Sequence, residues 1–119
     1  VRAKDAVGRY GERVAARWLS EAGMTVVERN WRCRRGEIDI LARDGDVLVV
    51  CEVKTRRSGR AGTAAEAVTP DKLRRLRDLT QEWLRARPDV RYGAIRFDVV
   101  AVTPADRGPA HVEHLRAVL

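Results

Sequence analysis

The sequence predicts an α/β domain, a mixed sheet of four or five strands with helices packed on it. Three observations carry this reading. An apolar stripe recurs at helical spacing between Asp5 and Gly23, two strand-like runs flank a turn pair at Asp44-Gly45, and a capped helix from Thr69 separates them from a further strand. With 119 residues and 45% apolar content, the chain has one domain's length and the material for a core without staples.

Val7, Gly11, Val14, Ala15, Trp18, Leu19 and Ala22 form the stripe of the first helix, with Asp5 as N-cap and Gly23 as its stop. Gly8 and Gly11 each cost a helix about 1 kcal/mol relative to Ala, so they either permit close approach to the sheet or mark a later start. Met24 to Arg29 is a short strand built on Thr25, Val26 and Val27, and residues 30–36 connect it onward. Glu37 to Arg43 and Val47 to Thr55 are paired strands about Asp44-Gly45. A glycine-containing loop over 58–62 carries Arg60. Thr69 then caps a helix with Pro70 at its first position, an apolar face of Leu73, Leu76, Leu79, Trp83 and Leu84, and a stop at Pro88. Residues 92–102 read as another strand and 103–109 as a loop, while the tail HVEHLRAVL suits strand or helix equally. Trp18 and Trp83 lie on helix stripes and are expected in the core.

Composition narrows the function classes. No apolar run approaches a membrane span. The N-terminus opens on Val1, as if trimmed, and lacks an apolar signal core, so a cytoplasmic protein is expected. Cys33 and Cys51 lack zinc spacing and fit free thiols in a reducing compartment. His111 and His114 would share a helix face, but without Cys or carboxylate partners they do not make a zinc site. Six aromatics give little support to a base-stacking module. The formal charge is +7, from 24 Lys+Arg against 17 Asp+Glu. Between Lys54 and Arg77 there are eight cations and two anions, so +6 of the excess is local. Such concentration points to a polyanion, most simply nucleic acid, or else to a solvated helix face.

The hairpin register gathers the chemistry. With Asp44-Gly45 as a two-residue loop, Arg43 pairs with Asp46, Asp39 with Val50 and Glu37 with Glu52. Alternation then puts Leu48, Val50, Glu52 and Lys54 on one face with Glu37, Asp39 and Leu41. Asp39 and Glu52 become diagonal neighbours about 7–8 Å apart. Like charges so placed repel, and a divalent cation relieves them. Hard oxygen ligands select Mg²⁺, with Mn²⁺ as a substitute, and Lys54 could orient a water or neutralise charge on a phosphate in transfer. The alternative is an edge hairpin whose Glu–Lys pairs face solvent.

Asp39, twelve intervening residues and Glu52-Val53-Lys54 resemble the Asp…Glu-x-Lys signature of the PD-(D/E)XK nucleases, with Ile38 where that name has Pro. The wider set is similar to the YraN family: Gly8, Gly11-Glu12, Asn30-Trp31, Arg35-Gly36-Glu37-Ile38-Asp39, Glu52-Val53-Lys54-Thr55-Arg56, Lys72 and Arg96-Phe97-Asp98. These are small bacterial proteins regarded as candidate endonucleases related to archaeal Holliday junction resolvases. The resemblance implies a restriction-endonuclease-like core, one nuclease-like domain over residues 1–119, and Glu12 joining Asp39, Glu52 and Lys54 as catalytic residues. Asp39 and Glu52 would be the metal ligands. By analogy with enzymes that cut two strands symmetrically, a homodimer is expected.

Arg34, Arg35, Arg56, Arg57 and Arg60 flank the two ends of this site and are expected to hold phosphates. For Lys72 and Arg75, starting the second helix, phosphate binding and solvation weigh equally. Asp98, alternating with Arg96, is expected in a local salt bridge or turn rather than as a third metal ligand. The function expected is a Mg²⁺-dependent endonuclease acting on duplex or branched DNA. Its rivals are a nucleic-acid-binding protein that keeps the fold without cleaving, and an interaction module whose basic patch meets an acidic protein.

Overall fold

The structure, a computed structural model, describes residues 5–56 and 68–118. Helix α1 (Ala6–Glu21) starts where Asp5 accepts the Gly8 N–H at 2.8 Å, and the chain turns away at Gly23, whose φ of +96° suits glycine. Three antiparallel strands follow: β1 (Thr25–Cys33), β2 (Gly36–Asp44) and β3 (Val47–Thr55). Helix α2 (Pro70–Arg85), capped by Thr69 as expected, crosses over to β4 (Ala94–Thr103), which runs parallel to β3. The ambiguous tail resolves as β5 (His111–Leu115), antiparallel to β4. The sheet order is β1-β2-β3-β4-β5, a mixed five-stranded sheet with a helix on each face, as in the restriction-endonuclease-like core anticipated.

The core lies on both sides of the sheet. Ile40, Ala42, Val49 and Cys51 face Ala15 and Leu19 of α1, while Leu41, Leu48 and Val50 face Leu76, Leu79 and Trp83 of α2. With β3 at the centre, the hairpin is not a solvent-facing edge. No helix among the described residues is long and apolar enough to cross a membrane.

Three local expectations are corrected. Strand β1 runs on through Cys33, leaving only Arg34-Arg35 as the turn. A register shift lies between Val26 and Glu28, Asn30 takes a positive φ of 55°, and beyond it Trp31 and Cys33 pack on the α2 side. On α1 the buried face is Gly11, Glu12, Ala15 and Leu19, and Trp18 is 39% exposed rather than in the core. His111 and His114 sit three apart on a strand, hence on opposite faces, and share none. The loop expected over 58–62 lies outside the described residues.

Asp98 does more than pair locally. It is fully buried, and its oxygens accept from Arg96 Nε at 2.9 Å, from the Ala117 N–H at 3.1 Å and from His114 Nε2 at 2.8 Å. Trp18 Nε1 donates to His114 Nδ1 at 3.1 Å. Indole nitrogen can only donate, so Nδ1 accepts and Nε2 carries the proton given to Asp98. The network ties β4, β5 and α1 together. Burial alone would raise the Asp98 pKa, but the bonds from His114, Arg96 and the Ala117 backbone hold it at about 2.

Two predictions follow from this packing. The folded Asp98 titrates below the unfolded value of about 3.9, so its carboxylate contributes stability that is complete above that value and is lost as pH falls toward 2. In thermal unfolding between pH 7 and 2, Asp98→Asn should lose about 2 kcal/mol less across that window than the parent chain. At Gly11, a Cβ would lie 1.8 Å from Thr55 Oγ1 and 2.9 Å from Thr55 Cβ, so helix and strand meet there with no room for a side chain. Gly11→Ala should destabilise by about 1–3 kcal/mol in urea unfolding despite alanine's better helix propensity.

Candidate functional site

The β2–β3 ladder pairs Asp44 with Val47, Arg43 with Leu48 and Leu41 with Val50. The loop residues are therefore Gly45-Asp46, not Asp44-Gly45, because Gly45 takes the positive φ (63°) at the first central position. This moves every expected pair by two residues, which leaves side-chain faces unchanged. That ladder includes no pairing of Glu37 with Glu52, and Glu37 lies 3.5 Å from Arg32 Nε.

The ladder ends at Ile40 and Cys51, and beyond them the Val53 N–H donates to Asp39 Oδ2 at 2.8 Å. Asp39, 7% exposed, is held beside the strand end by that bond. Glu52 Oε2 lies 2.7 Å from Lys72 Nζ. Both carboxylates line one cavity of about 460 Å³ between the end of the hairpin and the first turns of α2. Its cationic lining is Arg34 and Arg35 from the β1–β2 turn and Lys72 and Arg75 from α2. The arginines are exposed and the carboxylates lie deeper, so cations form the rim and anions the floor. Arg35 also lies 3.7 Å from Asp78.

Glu12 and Lys54 are not in that cavity. They line a neighbouring depression of about 290 Å³ on the α1 side, with Val53 and Thr55. Glu12 is 1% exposed and Lys54 is exposed. Asp39 and Glu52 thus line one cavity and Glu12 and Lys54 its neighbour, while Lys54, two residues beyond Glu52 on a regular strand, keeps Glu52's strand face. Val53 bridges the two, its N–H on Asp39 and its residue in the second depression. Arg56 continues past β3 with its N–H on Val102 O at 2.8 Å, while Arg57 and Arg60 lie outside the described residues.

Among the described residues, no group of three or more His, Cys, Asp or Glu could hold a metal ion. The donor set that does converge is two carboxylates on a cavity wall. That set fits Mg²⁺ or Mn²⁺, which commonly take one or two carboxylates and complete their shell with water and phosphate oxygen. It does not fit zinc. Cys51 is no nucleophile: burial, reinforced by the charges of Asp98, Asp39 and Glu52, pushes its thiol well above the usual range.

Sequence reasoning placed Lys72 in the basic segment but did not pair it with Glu52. The signal was in the topology. A β-α-β crossover sends its helix back along the sheet, so the first turn of α2 lies near the C-terminal end of β3.

Comparison with known proteins places the chain. The uncharacterised protein family UPF0102 matches over residues 11–102. A UPF0102 protein of Kineococcus radiotolerans is 71% identical over 118 residues, covering 99% of this chain and 97% of that protein. One of Streptomyces coelicolor is 58% identical over 117 residues, covering 98% of this chain and 90% of its own. One of Beutenbergia cavernae is 58% identical over 118 residues, covering 99% of each. The chain therefore belongs to the UPF0102 (YraN) family.

Proposed function

We propose that the chain is a metal-dependent endonuclease, one nuclease-like domain acting in the cytoplasm on phosphodiester bonds of duplex or branched DNA. The observation that supports this is the shared cavity: Asp39 and Glu52 form its floor beneath a rim of Arg34, Arg35, Lys72 and Arg75. A buried Asp39 and a half-buried Glu52 beneath exposed arginines and a half-buried Lys72 suit a divalent ion together with a phosphate. Asp39 and Glu52 would hold Mg²⁺ or Mn²⁺, which when bound supplies Lewis-acid polarisation of the phosphoryl oxygen and lowers the pKa of water.

The chain's own residues do the rest. Asp39 is oriented by the Val53 N–H, so one ligand is fixed by main chain rather than by a mobile side chain. Arg34, Arg35 and Arg75 position the backbone and carry no sequence information. Arg56, Arg57 and Arg60, which follow β3 in sequence, would add phosphate contacts. Lys54 and Glu12, which line the neighbouring depression with Val53, would act on the attacking water or on the departing strand. A homodimer would present two such sites to a symmetric junction.

A second reading, nucleic-acid binding without cleavage, is favoured by the Lys72–Glu52 contact and by the lack of a third metal ligand among the described residues. Incubation with plasmid and four-way-junction DNA in Mg²⁺ or Mn²⁺ separates the readings. Cleavage that falls by about 10²-fold or more in Asp39→Ala and Glu52→Ala supports the nuclease. Salt-dependent binding without cleavage in any metal supports the second, and no salt-dependent binding leaves only the protein-interaction rival. For the rim, Arg75→Ala should weaken binding to all DNA sequences alike and reduce the slope of log K against log salt by about 1.

A further inference from the structure

We propose that Lys72 is an exchangeable counter-ion for the metal site, its ammonium occupying Glu52 without the divalent ion and being displaced when that ion binds. The inference rests on reading Asp39 and Glu52 as the metal ligands. Its own observation is the 2.7 Å contact between Lys72 Nζ and Glu52 Oε2 inside the cavity that also contains Asp39.

An ammonium in contact with one carboxylate oxygen and a divalent cation on the same carboxylate would stand only a few ångströms apart. Like charges at that distance, in a partly desolvated cavity, exclude one another. One of them must leave, and Lys72 is built to do so. Its backbone is anchored, with the N–H on Thr69 Oγ1 at 3.1 Å in the first turn of α2, so displacement needs no movement of the helix. The four-carbon stem then carries the ammonium elsewhere in the cavity. Half-buried, it remains beside the rim arginines, where a phosphate would sit. One cation thus serves two states. It balances Glu52 when no metal is bound, and it joins the phosphate-binding rim when metal and DNA arrive together.

The contact therefore sets metal affinity, a property that a merely structural lysine would not control. The test uses the full chain without DNA and titrates Mg²⁺ and Mn²⁺ by calorimetry. Lys72→Met keeps the stem and removes the charge, and should tighten metal binding about three- to fivefold, as loss of a partly exposed ionic competitor implies. Lys72→Arg keeps the charge and should stay within about twofold of the parent. In the unmodified chain, ¹⁵N-lysine labelling follows the ammonium of Lys72 among only three lysines. Its resonance should move on adding Mg²⁺ and stay put in Glu52→Gln. Unchanged metal affinity in Lys72→Met, alongside weakened affinity in Glu52→Gln, would overturn the exchange and leave the metal site standing. Equal metal binding by the parent, Asp39→Asn and Glu52→Gln would overturn the metal site and the exchange together.

Discussion

The hydrogen bond from the Val53 N–H to Asp39 Oδ2, 2.8 Å long, is the contact on which the site depends. Main-chain pairing between β2 and β3 runs as far as Ile40 and Cys51. Past that point a backbone donor near the sheet's interior needs an acceptor, and leaving it without one would cost about 1–3 kcal/mol. Asp39 supplies the acceptor from its side chain. A carboxylate is thereby locked where a main-chain carbonyl would otherwise be, in the cavity that Glu52 also lines. The same bond fixes Val53, which lines the neighbouring depression with Glu12 and Lys54. One side-chain bond in place of main-chain pairing thus links the residues of both cavities.

The molecule contains two kinds of charge compensation, and their difference separates architecture from site. Asp98 is satisfied by four donors from its own strand, the neighbouring β5 and the following tail: two Arg96 nitrogens, His114 and the Ala117 backbone. Arg96 is itself shared with Asp44 at 3.0 Å. Every partner is a short or ring-constrained group, a backbone N–H or a multiply bonded guanidinium, so the network is rigid and removing any member strands another. Glu52 is balanced instead by a single ammonium at the end of a long flexible stem. The first arrangement suits a group that must never change partner. The second suits a group that must, because a lone ionic contact at a cavity wall is weak enough to be exchanged.

Much of the fold was legible because it depends on short-range rules. Asp5 and Thr69 are caps because their oxygens reach a donor three residues away. The faces of β2 and β3 were legible because alternation survives a register error of two, so Asp39 and Glu52 remained together although Gly45, not Asp44, opens the turn. What sequence could not supply depends on packing between distant segments. The burial of α1 is rotated relative to its hydrophobic stripe because Gly11 is the only residue small enough to meet Thr55, which brings Glu12 inward and leaves Trp18 outward to meet His114. Likewise β5 is a strand only because β4 offers it an open edge, since HVEHL alone has no decisive period.

The charge distribution shows the same limit from another side. Eight cations between Lys54 and Arg77 suggested one basic flank. Of those eight that lie among the described residues, Lys72 and Arg75 line the cavity with the carboxylates, while Arg74 turns back to its own helix to pair with Asp71. Half of the cationic rim comes from Arg34 and Arg35, in a stretch whose local charge is close to balanced. They enter because β1 runs to Cys33 and turns tightly, which delivers both arginines to the mouth of the cavity opposite α2. A phosphate between these walls would be held by cations from two separately folded segments. The strength of such binding would therefore depend on how β1 and α2 are held against β2, and not on the basic segment's charge alone.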